Sequence, residues 1–271
     1  MSAAETESRR QAELWRRLAQ VDDPELDEPI TDMGFVERAE VADDGRVFVD
    51  FRLPTYWCSP NFAFLMLDGV RAALDGLSWR PAYEVRLQDH MFADEVNAGV
   101  AAGRSFGQIF GDLSGDCDVR TLRETFQAKA YKRRQEGAIL DLRAAGLTDE
   151  EIVRLSVAGY EARRLAPAEA AFRQERYRQA LLRRRPALAL KDRAFLTWEG
   201  DPIGAGALET YLGELRSVRI NMEFNGALCR GLKTARYKEA EIVDGEPTLV
   251  DFIMDRVPSP PPIRGRSKPA C

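Results

Sequence analysis

Residues 35–53 read FVERAEVADDGRVFVDFRL, and this stretch decides the fold class. Two runs rich in β-branched and aromatic residues flank the turn signal ADDG at 42–45, which predicts a β-hairpin. In the second run, from 47 to 53, every other residue is apolar and most of the residues between them are polar. This alternation is typical of a strand in a sheet with one covered face.

Helical patterns lie on both sides of the hairpin. Before it, apolar residues recur at helical spacing between 14 and 21. After it, residues 66–77 carry an apolar stripe, and Ser59 and Pro60 suit the N-cap and the first position of that helix. Residues 83–87 alternate again and predict a third strand. The front of the chain is therefore predicted to be a small αββαβ domain of the α+β class.

The rest of the chain divides by composition. Residues 118–193 are rich in Ala, Arg, Gln and Glu and predict three or four helices, with a capping box that starts at Thr148. Residues 194–257 predict a mixture of helix and strand whose order the pattern does not set. Residues 258–271 are rich in proline and basic, which is typical of a disordered tail. With 1–117 as the front domain, four regions are expected.

Composition excludes several classes of protein. The 271 residues are 45% hydrophobic and 31% charged, with one histidine and four widely separated cysteines. A disulfide scaffold and a classical zinc site are therefore not implied. Because no run of 18 apolar residues and no secretory leader occurs, we expect a soluble, cytoplasmic protein with no membrane partner. An independent enzyme has no support either, since P-loop and Gly-x-Ser-x-Gly motifs do not occur.

The net charge of −5 conceals an asymmetry along the chain. Residues 1–117 hold 11 Lys and Arg against 22 Asp and Glu, whereas residues 118–193 hold 18 against 11. This pattern fits docking of the two parts on each other, an acidic partner for the middle, or solvated helix faces. Basic runs at 132–134 and 183–185 introduce a DNA-binding regulator as an alternative function, but the acidic front argues against nucleic acid as a partner.

Several short motifs occur in the front third of the chain in a fixed order. They are Asp23-Pro24-Glu25, Asp32-Met33-Gly34-Phe35-Val36, the hairpin, Thr55 and Cys58-Ser59-Pro60. Their series resembles the PaaD/SufT-like metal-sulfur cluster assembly family over roughly residues 11–110. In that family cysteine usually stands directly before proline, whereas Ser59 intervenes here.

This resemblance implies an accessory factor that matures an iron-sulfur or di-iron protein. Such a factor carries iron or an iron-sulfur cluster, transiently, to an apo-metalloprotein client. Extended forms of the domain are associated with bacterial soluble di-iron monooxygenases, so the implied client is such an enzyme or its iron-sulfur reductase. A metal-free chaperone or scaffold that holds the client is the alternative, and the DNA-binding regulator is a third.

Cys58 is the first candidate for contact with iron. It would lie at the entrance of a helix, where free amides and the helix dipole favour a thiolate, although a buried inert cysteine fits the same position. Because clusters usually have four protein ligands, a homo-oligomer or the client would have to complete the site. Asp23 and Glu25 are candidate oxygen ligands, with turn and cap chemistry as their other interpretation.

Two further residues complete the candidate set. His90, the single histidine, follows the third strand and is a candidate metal ligand or a structural hydrogen-bonded residue. Cys229 is a second candidate for binding the cluster, because the neighbouring Arg230 would favour a thiolate, with core packing as the alternative. Cys117 is interpreted as a linker residue in an acidic turn, and Cys271 as terminal and exposed.

Overall fold

The computed structural model describes residues 3–111 and 119–237, which form five strands and nine α-helices. The strands are β1 (Asp22–Asp23), β2 (Glu28–Pro29), β3 (Val36–Val41), β4 (Val47–Arg52) and β5 (Tyr83–Gln88). The front helices are α1 (Ala3–Leu18), α2 (Pro60–Asp75), α3 (Ala93–Ala101) and α4 (Phe106–Phe110). The rear helices are α5 (Val119–Ala144), α6 (Asp149–Arg154), α7 (Val157–Glu161), α8 (Ala168–Arg184) and α9 (Leu208–Tyr237).

The predicted hairpin supplies β3 and the central strand β4 of a three-stranded sheet in the order β3-β4-β5. β3 and β4 are antiparallel, whereas β5 lies parallel to β4. Parallel neighbours need a crossover connection, and α2 supplies it. On β4 the side chains of Val47, Val49 and Phe51 are buried, as their alternation predicts. The structure thus confirms the α+β class and the αββαβ order.

Local sequence signals mark the starts of three helices, α2, α6 and α8. Ser59 is the N-cap of α2 and Pro60 its first residue, although the Ser59 hydroxyl makes no capping hydrogen bond. Thr148 and Glu151 form the predicted capping box at the start of α6. Pro167 directly precedes α8. Four helices lie between residues 119 and 184, in agreement with the prediction.

Two separate hydrophobic cores form, one in each half of the molecule. The front core joins the sheet to α1, α2, α3 and α4. The rear core joins α5, α6, α7 and α8 to the start of α9. Leu208, Leu212 and Leu215 of α9 are buried in the rear core, whereas Cys229 of the same helix packs against the front core. Helix α9 therefore links the two halves.

Helix α9 occupies much of the region in which a mixture of helix and strand was predicted. Within 194–237 the β structure is limited to an isolated bridge between Leu196 and Pro202, and from Leu208 onward the described residues are helical. The apolar run 249–253 and the tail 258–271 lie outside the described residues. The boundaries predicted at 117, 193 and 257 stay predictions.

An ionic cluster joins the acidic front to the basic middle. The Arg134 guanidinium donates to both carboxylate oxygens of Asp27 and, at 2.9 Å, to Asp22. The Arg176 guanidinium also donates to Asp22 and Asp27, at 3.0 and 2.9 Å. Asp27 and Arg134 are almost fully buried. Ion pairs thus join the acidic front to the basic middle, and Arg134 of the basic run 132–134 contributes directly to them.

Among the residues that the structure describes, no helix is both long enough and apolar enough to cross a membrane.

Candidate functional site

The Cys58 thiol lies in the short loop between β4 and α2, two residues before that helix begins. The Thr55 hydroxyl shares a hydrogen bond with the Cys58 Sγ at 3.0 Å. The thiol is half-buried and does not form a disulfide. Because the sulfur is partly accessible and stands before a helix N-terminus, it can reach a metal or another protein from this loop.

His90 holds the Cys58 loop through both of its ring nitrogens. The backbone N–H of Phe92 donates to Nδ1 at 3.1 Å, so Nδ1 is an acceptor, and Nε2 therefore donates to the Cys58 carbonyl at 2.7 Å. Burial lowers the pKa of His90, and the positive charge of Arg236 acts in the same direction. The ring is thus a neutral tautomer whose nitrogens are both engaged. In this geometry His90 positions Cys58.

Cys229 reaches the same site from the opposite end of the chain. It lies on α9 and is half-buried against the front core, to which Cys58 also belongs. Burial, together with negative charge on Asp23, Cys58 and Glu25, raises the pKa of Cys229 to about 11. Arg230 acts in the direction expected from the sequence. Arg230 does lower the pKa, but burial and the nearby negative charges outweigh it.

The carboxylates of Asp23 and Glu25 lie beside Cys229. Asp23 Oδ1 accepts hydrogen bonds from the backbone amides of Glu25 and Leu26, both at 2.9 Å, which is turn chemistry. Burial raises the pKa of Asp23 to about 6 in spite of these two bonds. Glu25 Oε1 accepts a bond from the Asn225 side-chain amide on α9 at 3.5 Å. Both carboxylates thus face α9 across the junction.

Cys58 and Cys229 therefore both pack against the front core, and Asp23, Glu25 and Cys58 are near enough for their charges to act on the Cys229 thiol. Within residues 3–111 and 119–237, however, no group of three His, Cys, Asp or Glu side chains has a geometry that could hold a metal ion. Thiolates and carboxylates both suit iron, but three of the four donors, Cys58, Asp23 and Glu25, are also used in hydrogen bonds within the protein. The types of donor atom suit iron, but their arrangement does not form a complete metal site.

Exposed apolar side chains surround the Cys58 loop. Tyr56 and Trp57 directly precede Cys58, and Met91 directly follows His90. Trp57 is 73% exposed, and Tyr56 and Met91 are each 46% exposed. The backbone N–H of Met91 donates to the Tyr56 carbonyl at 2.9 Å, which joins the two loops. This patch, Tyr56, Trp57 and Met91, is a surface on which another protein can dock.

Some residues of the site had no recognisable sequence signal. Asn225 and Arg236 touch Glu25 and Asp89 from α9, and neither stands in a motif. Their contacts depend on tertiary docking of a helix whose course the sequence pattern left open. Cys117 and Cys271 lie outside the described residues.

Comparison with protein families agrees with the geometry of the front domain. Residues 11–86 match the family model for iron-sulfur cluster assembly protein, a range that runs from α1 through most of β5 and includes Asp23, Glu25 and Cys58. Comparisons with curated proteins and with solved structures found no match. Cys229 and His90 lie beyond the matched range. Residues 11–86 are therefore similar to the iron-sulfur cluster assembly family, and this similarity supports a role in the assembly or maturation of iron-sulfur proteins.

Proposed function

We propose that this protein is an accessory factor that holds iron or an iron-sulfur cluster transiently and passes it to an apo-metalloprotein client. The observation that carries the proposal is that Cys58 of the front domain and Cys229 of α9 pack against the same core, with Asp23 and Glu25 near enough to act on the Cys229 thiol. The iron or cluster is cargo, and the protein is not an enzyme with its own small-molecule substrate.

The incomplete donor set supports transient holding. A resident cluster usually has four protein ligands, whereas two thiols are gathered here and the neighbouring carboxylates are engaged with backbone and side-chain amides. Ligands from the client would complete the coordination during transfer. Since α9 supplies Cys229, movement of that helix would remove one of the two thiols and weaken the hold on the cargo.

The exposed patch beside Cys58 supports direct contact with the client. Trp57 stands next to the thiol and is largely exposed, and large aromatic residues are common anchors of protein interfaces. An iron-sulfur or di-iron protein, such as a bacterial soluble di-iron monooxygenase, is the client that the sequence resemblance implies. The same patch also suits the alternative function, a metal-free chaperone or scaffold that only holds the client.

Anaerobic iron and sulfide analysis separates these two functions. We expect the wild type to bind iron after reconstitution, with absorption of the thiolate-to-iron type, and Cys58→Ala to lose most of it. Cys229→Ala should reduce binding as well, because both thiols contribute. Cys271→Ala, which leaves Cys58 and Cys229 in place, should bind iron as the wild type does.

The opposite results would contradict the proposal. Iron that remains bound in the double variant Cys58→Ala/Cys229→Ala would place the cargo elsewhere. Absence of specific iron in the wild type would favour the metal-free chaperone. In that case Trp57→Ala should still weaken capture of a purified apo di-iron client, whereas Phe172→Ala, an exposed aromatic on α8, should not.

A further inference from the structure

The outward face of α9 presents an apolar surface to solvent. Ile220, Phe224 and Leu228 are spaced four residues apart and are 54%, 68% and 52% exposed. Small residues lie on the same face toward both ends of the helix. A Cβ placed on Gly213 or on Gly231 would meet no atom within 4 Å, so both ends of this face are open.

These residues form a stripe with a regular and symmetric spacing. The stripe consists of Gly213, Ser217, Ile220, Phe224, Leu228, Gly231 and Ala235. The steps between its members are four, three, four, four, three and four residues, the same in both directions. Steps of three and four residues are those by which one helix packs along another. Every member of the stripe is exposed and uncharged.

The sizes of the side chains follow the same symmetry about Phe224. Ile220 and Leu228 are equidistant from Phe224, as are the small residues Ser217 and Gly231. A two-fold axis through Phe224 would therefore place large residues against large ones and small against small. Such self-complementarity is what a symmetric homodimer interface requires, because the same patch serves both subunits.

We infer that the α9 stripe is a homodimer interface in which two copies of α9 pack antiparallel across an axis at Phe224. Ile220 packs on the partner subunit's Leu228, and Ser217 lies against Gly231 of the partner subunit. The small residues at the ends let the two helices approach closely, since interaxial distance depends on the side chains at the contact. The stripe spans about 33 Å at ~1.5 Å per residue, a length over which paired helices can bury a continuous seam.

Charges on α9 lie beside the stripe and do not oppose the pairing. Arg219 pairs with Glu136 and with Glu223, at 2.9 Å each, so the two charged side chains of α9 closest to the axis, Arg219 and Glu223, are paired with each other within one chain. Cys229 is displaced by about 140° from Phe224 around the helix, at ~100° per residue. Each subunit would thus keep its thiols on the side of α9 that faces its own front domain, and dimerisation does not depend on iron.

Sedimentation equilibrium of the iron-free full chain tests this interface. We expect the wild type to have about twice the 30.5 kDa mass of one chain at micromolar concentration. Phe224→Glu should reduce the mass to that of one chain, because it places two carboxylates at the axis. Phe172→Glu is the matched control, an exposed phenylalanine on α8 that should leave the dimer intact.

Cysteine cross-linking tests the antiparallel arrangement. In a Cys117→Ser/Cys271→Ser background, the double variant Ser217→Cys/Gly231→Cys should form an intersubunit disulfide under mild oxidation, while each single variant should not. Cross-linking of the single variants would indicate a parallel pair and overturn the proposed arrangement. A monomeric wild type, or a dimer that Phe224→Glu leaves intact while circular dichroism shows a native fold, would overturn the interface itself.

Discussion

The two halves of helix α9 are held by different kinds of interaction. The first half is anchored in the rear core by leucines that are almost fully buried. The second half lies on the front domain through polar and ionic contacts that water can reach, among them Arg230 with Glu28, Lys233 with Glu37 at 3.7 Å and Arg236 with Asp89 at 2.6 Å. One helix thus combines a firm anchor with a surface contact that covers the candidate site.

This difference has a consequence for movement. Burial of apolar side chains contributes several kcal/mol for each residue, whereas exposed ion pairs contribute about 0–1 kcal/mol. Local opening follows the weakest contacts. We therefore expect the second half of α9 to separate from the front domain while the first half stays in place. Such separation would withdraw Cys229 from Cys58 without unfolding the protein.

The largest effect on the free energy of unfolding is expected from a change in the buried leucines that anchor the first half of α9. Leu215→Ala removes a fully buried side chain from the rear core and should lower the free energy of unfolding by about 2–5 kcal/mol. Urea denaturation monitored by circular dichroism measures it. Leu140→Ala, on the exposed surface of α5, is the matched control and should change stability by less than about 0.5 kcal/mol. Equal losses in both variants would contradict the anchoring role of Leu215.

An intermediate effect on the free energy of unfolding is expected from loss of an ion pair where the two halves of α9 meet. Glu136 is 1% exposed, and Arg219 of α9 donates to it at 2.9 Å. Arg219→Ala deprives this buried carboxylate of its cation and should cost about 1–3 kcal/mol in denaturation. Glu223→Ala removes the second, exposed partner of Arg219 and should cost less than about 0.5 kcal/mol. A smaller loss for Arg219→Ala than for Glu223→Ala would show that this contact does not stabilise the junction.

The contrast between the halves also shows what sequence patterns can predict. The front sheet followed from alternation over residues 47–53 and from a turn signal, because one covered face requires that period. The course of α9 did not follow, since Gly213, Gly226 and Gly231 interrupt its helical pattern. Tertiary packing of the first half overrides the weak helix propensity of these glycines. The glycines weaken the helical sequence pattern only locally. The leucines of the first half stabilise the whole helix because they pack in the rear core.

The sequence predicted the individual residues of the candidate site but not that they lie near one another in the fold. Cys58 and Cys229 were each candidates alone, and no spacing rule joins residues so far apart in the chain. Their meeting depends on docking of α9 on the front domain. For Cys229, the adjacent Arg230 suggested a thiolate, but burial and the negative charges of Asp23 and Glu25, which oppose it, arise only in the folded chain. For His90, the hydrogen bond to the Cys58 carbonyl became visible only when the two loops came together.

The smallest effect on the free energy of unfolding is expected when ion pairs are removed from the second half of α9. The alkylation rate of Cys229 should change more clearly. Lys233→Ala/Arg236→Ala removes the ion pairs with Glu37 and Asp89 and should lower the free energy of unfolding by no more than about 1 kcal/mol, because both pairs are partly exposed. The same loss of up to about 1 kcal/mol makes local opening of the second half of α9 more frequent. Alkylation of Cys229 by a maleimide should therefore become about fivefold faster, which peptide mass spectrometry measures. Arg216→Ala, on the exposed surface of the first half, should change neither quantity. Unchanged alkylation in the double variant would mean that the front contacts of α9 are as firm as its anchor, and Cys229 would then be a fixed part of the site.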